Sequence, residues 1–295
     1  MENIDMTQTV SADTVTYLGT VGMLIITSII ILLFIFFKRY KARFAPLLMG
    51  IVAYFLFAFV GYNIIVSLMF MIPGFEVAYN NNTVVFTVIF LAIIVALFTV
   101  ARIICIHIMY PNYDRPGDVL IFGLGIGMCE ALLYVLTSIV LGVWASGINS
   151  SGMTELFKNF TPEEVISNYN SFSLIFTAPS ILWVLLCFSA IMDIVLNCGL
   201  AILTFGVVSK KIPKLWYLVC AAINFLVILP FKVYDDSSTM GVIIPFAIKI
   251  VVFIIAILVI YRTDKNYIGG IISFTGKKET NLSSKMPRLG KLSNK

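Results

Sequence analysis

The chain has 295 residues, 60% of them hydrophobic and 12% charged, with a formal net charge of +5 and a single histidine. Soluble domains carry roughly 25% charged and 45–50% apolar residues. The composition therefore excludes an ordinary soluble enzyme and a disordered tail protein, and points to a chain that crosses a lipid bilayer several times.

Seven apolar stretches are long enough to cross roughly 30 Å of hydrocarbon at about 1.5 Å per residue. In chain order they are 17–37, 44–72, 83–109, 118–144, 179–208, 215–233 and 241–261. Backbone groups in lipid must pair within their own segment, and these runs do not alternate in polarity. The expected class is all-α, a polytopic transmembrane helix bundle, and not a β-barrel. The division that follows is an N-terminal tail 1–16, a bundle 17–261 and a basic tail 262–295.

Lys and Arg set the expected orientation. The N-terminal tail holds Glu2, Asp5 and Asp13 and no basic residue, whereas the first loop reads KRYKAR and brings Lys38, Arg39, Lys41 and Arg43. Loop 73–82 has only Glu76, and loop 110–117 is ambiguous in sign. Segment 145–172 sets Lys158 against Glu155, Glu163 and Glu164. The next loop carries Lys210, Lys211 and Lys214, the one after it Asp235 and Asp236, and the tail after Tyr261 has eight basic and two acidic residues. This alternation predicts an N-terminus outside and a C-terminus in the cytoplasm, in a multi-pass protein of a bacterial plasma membrane. The acidic N-terminal region and the long first apolar run do not match a cleaved signal peptide. The basic tail reads as an orientation signal with a soluble, disordered end.

Within 145–172 the string TPEEVI matches a helix start. Thr161 with Glu164 fits a capping box, and Pro162 suits the first turn. A short surface helix is expected there, and the cap accounts for Glu163-Glu164 without a catalytic carboxylate pair. Sequons at Asn81, Asn149 and Asn159 would matter only in a secretory pathway, which nothing here implies. The five cysteines fall inside expected spans without metal-site spacing and read as small apolar core residues.

Ionisable groups deep in a span are costly and are usually functional or paired. Four stand out: Arg102, Glu130, Asp193 and Lys249. Counted from the inner helix ends at about 1.5 Å per residue, they lie about 10, 18, 22 and 18 Å deep. Asn197 and Asn224 join them at about 16 and 13 Å. The layer sums to zero charge. Arg102 reaches Glu130 if the third and fourth helices pack together, as their short connection favours. In GLGIGMCEA, Gly123 and Gly127 are four apart and Glu130 follows on the same side, a small-residue face that admits a close neighbour and turns Glu130 inward. Asp193 and Asn197 share one helical face. The lone His107 reads as a hydrogen-bonded structural residue, since a metal site needs several ligands.

The stretches FKRYKARFAPLLMGIVAYFLF, ALFTVARII, IFGLGIGMCEALL and a late polar helix ending in VVSKK resemble the YhfC branch of bacterial intramembrane metalloproteases, related to the type II CAAX prenyl proteases and PrsW. The resemblance runs over about 37–230 and is most specific at 123–131. It implies a Glu-Glu-x-x-Arg motif on one span, a Gly-His-Gly-x-x-Glu motif on the next and later histidines, together binding metal or activating water. In this chain the arginine is Arg102, while the two glutamates fall at Phe98 and Thr99. Gly125, Gly127 and Glu130 remain of the second motif, but its histidine falls at Ile126. The later histidines fall at Asn197 and Asn224.

A catalytic zinc takes three protein ligands and a water. Asparagine lacks the basic imidazole nitrogen and serves zinc poorly. The expectation is thus a degenerate member with no catalytic residue, no metal ligand and no cofactor, acting as a binding or accessory membrane module for a peptide, lipid or membrane-protein partner. Nothing points to nucleic acid. The alternatives are an active intramembrane protease with a rearranged site centred on Glu130, which would require zinc, and a transporter or immunity-type protein that uses the four-charge layer. Neither inverted repeats nor paired broken spans favour the transporter.

Overall fold

The computed structural model describes residues 5–233 and 238–272, and the architecture in them is all helical. The acidic pair Asp235 and Asp236, Glu2, and the basic tail from residue 273 onward lie outside the described residues. The helices are α1 (Ala12–Lys38), α2 (Phe44–Phe70), α3 (Phe75–Asn81), α4 (Thr83–Met109), α5 (Pro116–Ser151), α6 (Pro162–Phe172), α7 (Ile181–Val208), α8 (Trp216–Ile228) and α9 (Thr239–Thr263), with α9 running on as a π-helical turn over Asp264–Ile268. Helix starts follow local chemistry. Ser11 accepts from the N–H of Thr14 at the head of α1, and Pro116 opens α5, where its missing N–H costs nothing. The capping box at Thr161 and Glu164 forms as expected and starts α6.

Among the described residues six helices are long and apolar enough to cross a membrane: α1, α2, α4, α5, α7 and α9 with its extension. This corrects the expectation of seven. The segment 215–233 folds instead as α8, a 13-residue helix, followed by a four-residue turn at Pro230–Val233. Pro230 has no N–H to donate back along the helix. At about 1.5 Å per residue α8 is about 20 Å long. Helix α2 is continuous in span but changes winding over Tyr54–Gly61, a π-helical stretch that redirects its lipid-facing aromatics.

Helices α5 and α7 form the centre. Over half of each apolar stretch is buried, against a third or less in the other spans. Around this pair, α1 and α2 cover α5, while α9, α8 and α4 cover α7. Glycine sets the spacing. A Cβ at Gly123 would stand 2.6 Å from the Cα of Cys198 in α7, and one at Gly125 would stand 2.5 Å from the carbonyl oxygen of Leu47 in α2. The reciprocal Gly50 would place a Cβ 2.2 Å from the carbonyl oxygen of Phe122. The GLGIG string thus packs two opposite neighbours by backbone contact, the small-residue mode of association in lipid.

One end of the bundle gathers the ends of α1, α4, α7 and α9 and the starts of α2 and α5. Arg43 bonds Asp118 there, and Lys211 donates to the carbonyl of Ile268. Among the described residues this end carries Lys38, Arg39, Lys41, Arg43, Arg115, Lys210, Lys211, Lys214, Arg262 and Lys265 against Asp114, Asp118 and Asp264. The opposite end is pinned by Asn149, which closes two hydrogen bonds on Val10, and by Thr14 with Ser180. It carries Asp5, Asp13, Glu76, Glu155, Glu163 and Glu164 against Lys158 and Lys232.

Candidate functional site

The polar side chains singled out from the sequence converge beside the α5–α7 seam. Helix α5 turns Glu130 inward, since Gly127 one turn earlier lets α5 approach the backbone of Ile194 in α7. Helix α7 supplies Asp193 and Asn197, one turn apart, and the amide of Asn197 donates to the backbone carbonyl of Asp193 at 2.9 Å. Helix α9 supplies Lys249, whose Nζ lies 2.7 Å from Asp193 Oδ2 and 2.6 Å from Ser189 Oγ. Lys249 also stands 5.4 Å over the ring of Phe231. Both partners of this ion pair are buried.

Arg102 reaches the layer from α4. Its Nη2 donates to Asn197 Oδ1, and its guanidinium lies 5.6 Å over the ring of Phe98. Asn197 Nδ2 in turn donates to Glu130 Oε2 at a long 3.4 Å. The direct Arg102–Glu130 contact expected from the sequence does not form. Helix α4 packs mainly on α2, α7 and α8, and an α7 side chain, Asn197, stands between the two charges. Arg102 is only 1% exposed, and among the described residues its Nε and Nη1 have no hydrogen-bond partner; nor does the buried amide nitrogen of Asn224 on α8. His107 does not join the layer and is exposed near the end of α4.

Residues that sequence reasoning missed complete the surroundings. Ser189 sits one turn before Asp193 and binds Lys249. Tyr134, one turn after Glu130, and Tyr54, in the π-helical part of α2, stand within electrostatic reach of Glu130. Cys220 on α8 is similarly placed beside Arg102. The spacing of four residues could have found Ser189 and Tyr134. Tyr54 and Cys220 had no such signal.

The donor set does not fit a catalytic zinc. Such a site needs three basic ligands around one point. Among the described residues no three His, Cys, Asp or Glu side chains gather in that way. Asp193 is held by a lysine, and the oxygen of Asn197 is occupied by an arginine. All five cysteines are buried free thiols distributed through the bundle.

Apolar helices of this length with a charged layer between them define a multi-pass helical membrane protein. The model of the YhfC intramembrane metalloprotease family matches residues 23–255, and the chain belongs to that family. No curated protein and no solved structure matches it.

Proposed function

We propose that this YhfC-family protein is a non-catalytic binding or accessory membrane module, seated in a bacterial plasma membrane with its N-terminus outside and its basic end in the cytoplasm. One observation carries the reading. Asn197 stands where the family resemblance puts a histidine, and it is engaged on both sides, by Arg102 on its oxygen and by Glu130 on its nitrogen. A group that links two charges on different helices serves as interhelical glue. The intramembrane polar layer Arg102, Glu130, Asp193, Asn197, Asn224 and Lys249 then orders the scaffold, and recognition of a peptide or membrane-protein partner falls to surfaces built on it. The excess of basic residues at one end supports the orientation.

The test is a cleavage assay on the purified chain in lipid vesicles, with membrane peptides as substrates and metal analysis of the same sample. The reading expects no cleavage, and no difference between the parent and Glu130→Gln. Cleavage lost in Glu130→Gln overturns it.

The rearranged protease keeps one supporting observation. Glu130 is only partly buried and receives a single long hydrogen bond, so its carboxylate retains capacity to act as a base. Stoichiometric zinc that vanishes in Glu130→Ala would favour it. Crosslinking and co-purification from native membranes would identify the partner.

A further inference from the structure

Helix α2 covers α5 over only part of its length. In its first half it packs closely, with Gly50 and Gly125 backbone to backbone and Ala53, Tyr54 and Ala58 buried. Past Ala58 no residue of α2 is buried, and its last part, Tyr62–Phe70, packs on α4. The change falls within the π-helical stretch. The side of α5 that α2 leaves stays bare. Leu136 stands about three turns beyond Gly125 on the same side, and it is exposed, as are Leu133 and Val140. A cleft therefore opens between α5 and the second half of α2 towards the acidic end of the bundle. Tyr54 and Glu130 stand at its apex.

The apex supplies a negative charge to an otherwise apolar face. Glu130 is partly exposed, and its side-chain hydrogen bond among the described residues is the long one from Asn197. The cations nearby are engaged elsewhere, Lys249 by Asp193 and Ser189, and Arg102 by Asn197. Glu130, Leu133, Thr137 and Val140 follow one another in steps of three and four residues, the seam along which one helix receives another. The hydroxyl of Thr137 is spent on the carbonyl of Leu133, so the seam beyond Glu130 offers apolar contact. Depth decides between occupants. Glu130 lies about 18 Å from the inner helix end, near mid-bilayer, where a lipid headgroup does not reach. A side chain carried on a spanning helix does reach it, and a lysine or arginine at that depth is itself costly until it meets an anion.

We propose that this cleft receives a transmembrane helix of a partner protein that carries a lysine or arginine at mid-span, its cation on Glu130 and its apolar face on Leu133, Leu136 and Val140. The proposal names the partner class of the non-catalytic module and rests on that reading. The full chain, carrying an acceptor dye at its N-terminus, is reconstituted in phosphatidylcholine vesicles with donor-labelled synthetic helices. These are leucine-rich peptides of about 20 residues whose central residue is lysine, leucine or glutamate. The expected energy transfer shows the lysine helix associating about ten-fold more tightly than the leucine helix, the scale of one interhelical polar contact in a membrane. The glutamate helix gains nothing over leucine. Glu130→Gln brings the lysine helix down to the leucine level. Val140→Trp, which fills the cleft from an exposed position, weakens the lysine helix as well, while Val251→Trp on the lipid-facing side of α9 leaves it unchanged. Equal association of the lysine and leucine helices with the parent chain overturns the proposal, and so does a lysine preference that persists in Glu130→Gln. Undiminished association in Val140→Trp overturns the cleft as its place. The same vesicles separate this proposal from the reading beneath it. A peptide cut by the parent and left whole by Glu130→Gln overturns the non-catalytic reading, whereas an intact peptide with no lysine preference overturns the partner helix alone.

Discussion

Arg102 and Asn197 form a buried hydrogen bond between α4 and α7, the contact by which a fully enclosed guanidinium enters the centre of the bundle. Two other nitrogens of that guanidinium have no hydrogen-bond partner among the described residues, so the bond to Asn197 is its main compensation. Removing one partner of a buried charged contact costs about 3–5 kcal/mol. Asn197→Ala should lower stability by about that much. Replacing both members with apolar residues, Arg102→Met with Asn197→Leu, should recover most of the loss. Unfolding midpoints in detergent for the two single variants and the double variant check this. Additive losses would show that the two side chains act separately.

Lys249 makes the opposite bond pattern, two short contacts to α7 and a ring beneath it. Its contribution should divide unequally. Ser189→Ala removes a neutral partner and should cost about 1–2 kcal/mol, the range for interhelical hydrogen bonds in membranes. Lys249→Met strands Asp193 and should cost about 3–5 kcal/mol. The same midpoints measure both variants, and similar losses would contradict the ion pair as the principal link between α7 and α9.

The positions of the long helices were legible because a span in lipid needs only length and apolarity. So were the inward turn of Glu130, which follows from Gly123 and Gly127, and the cap at Thr161 and Glu164, whose spacing is a local code. The break of the expected sixth span is written in Pro230, but the apolar length of 215–233 masks it. The pairing of charges was not legible. Depth along each helix placed Arg102, Glu130, Asp193 and Lys249 in one layer, yet which one meets which depends on helix order around α5 and α7. A short connection favoured α4 beside α5, and the glycine faces of α5 gave those places to α2 and α7 instead. Gly50 carries no signal of its own for the same reason. Its role appears only once Gly125 faces it.

Glycines in this bundle should divide into two classes by what surrounds them. A Cβ at Gly50 or Gly125 meets backbone atoms of the facing helix, which cannot swing aside. Gly50→Ala and Gly125→Ala should each cost about 1–3 kcal/mol or more through overpacking. A Cβ at Gly19 of α1 would have nothing within 4 Å, so Gly19→Ala should gain about 0.5–1 kcal/mol from reduced backbone freedom in the unfolded chain. Thermal midpoints in one detergent should fall for the first two and rise for the third. A fall for Gly19→Ala would mean that its face is already packed against something.

The start of α6 should be sensitive to acid. Glu164 accepts from the N–H and the hydroxyl of Thr161, and these bonds hold its carboxyl below the ordinary glutamate range. A carboxyl with a lowered pKa in the folded state stabilises fully above the ordinary value, and that stabilisation is lost as pH falls through the lowered one. Amide exchange in the first turn, at Val165 and Ile166, should therefore be well protected near neutral pH and loosen on acidification, after correction for intrinsic exchange. Glu164→Gln keeps an acceptor for the Thr161 N–H and removes the titration, so its protection should be weaker at neutral pH and flat with pH. Thr161→Ala should loosen the turn at every pH, because it deletes the cap that the N–H of Glu164 donates to. A first turn equally protected at both pH values in the parent chain would refute the electrostatic role of the box.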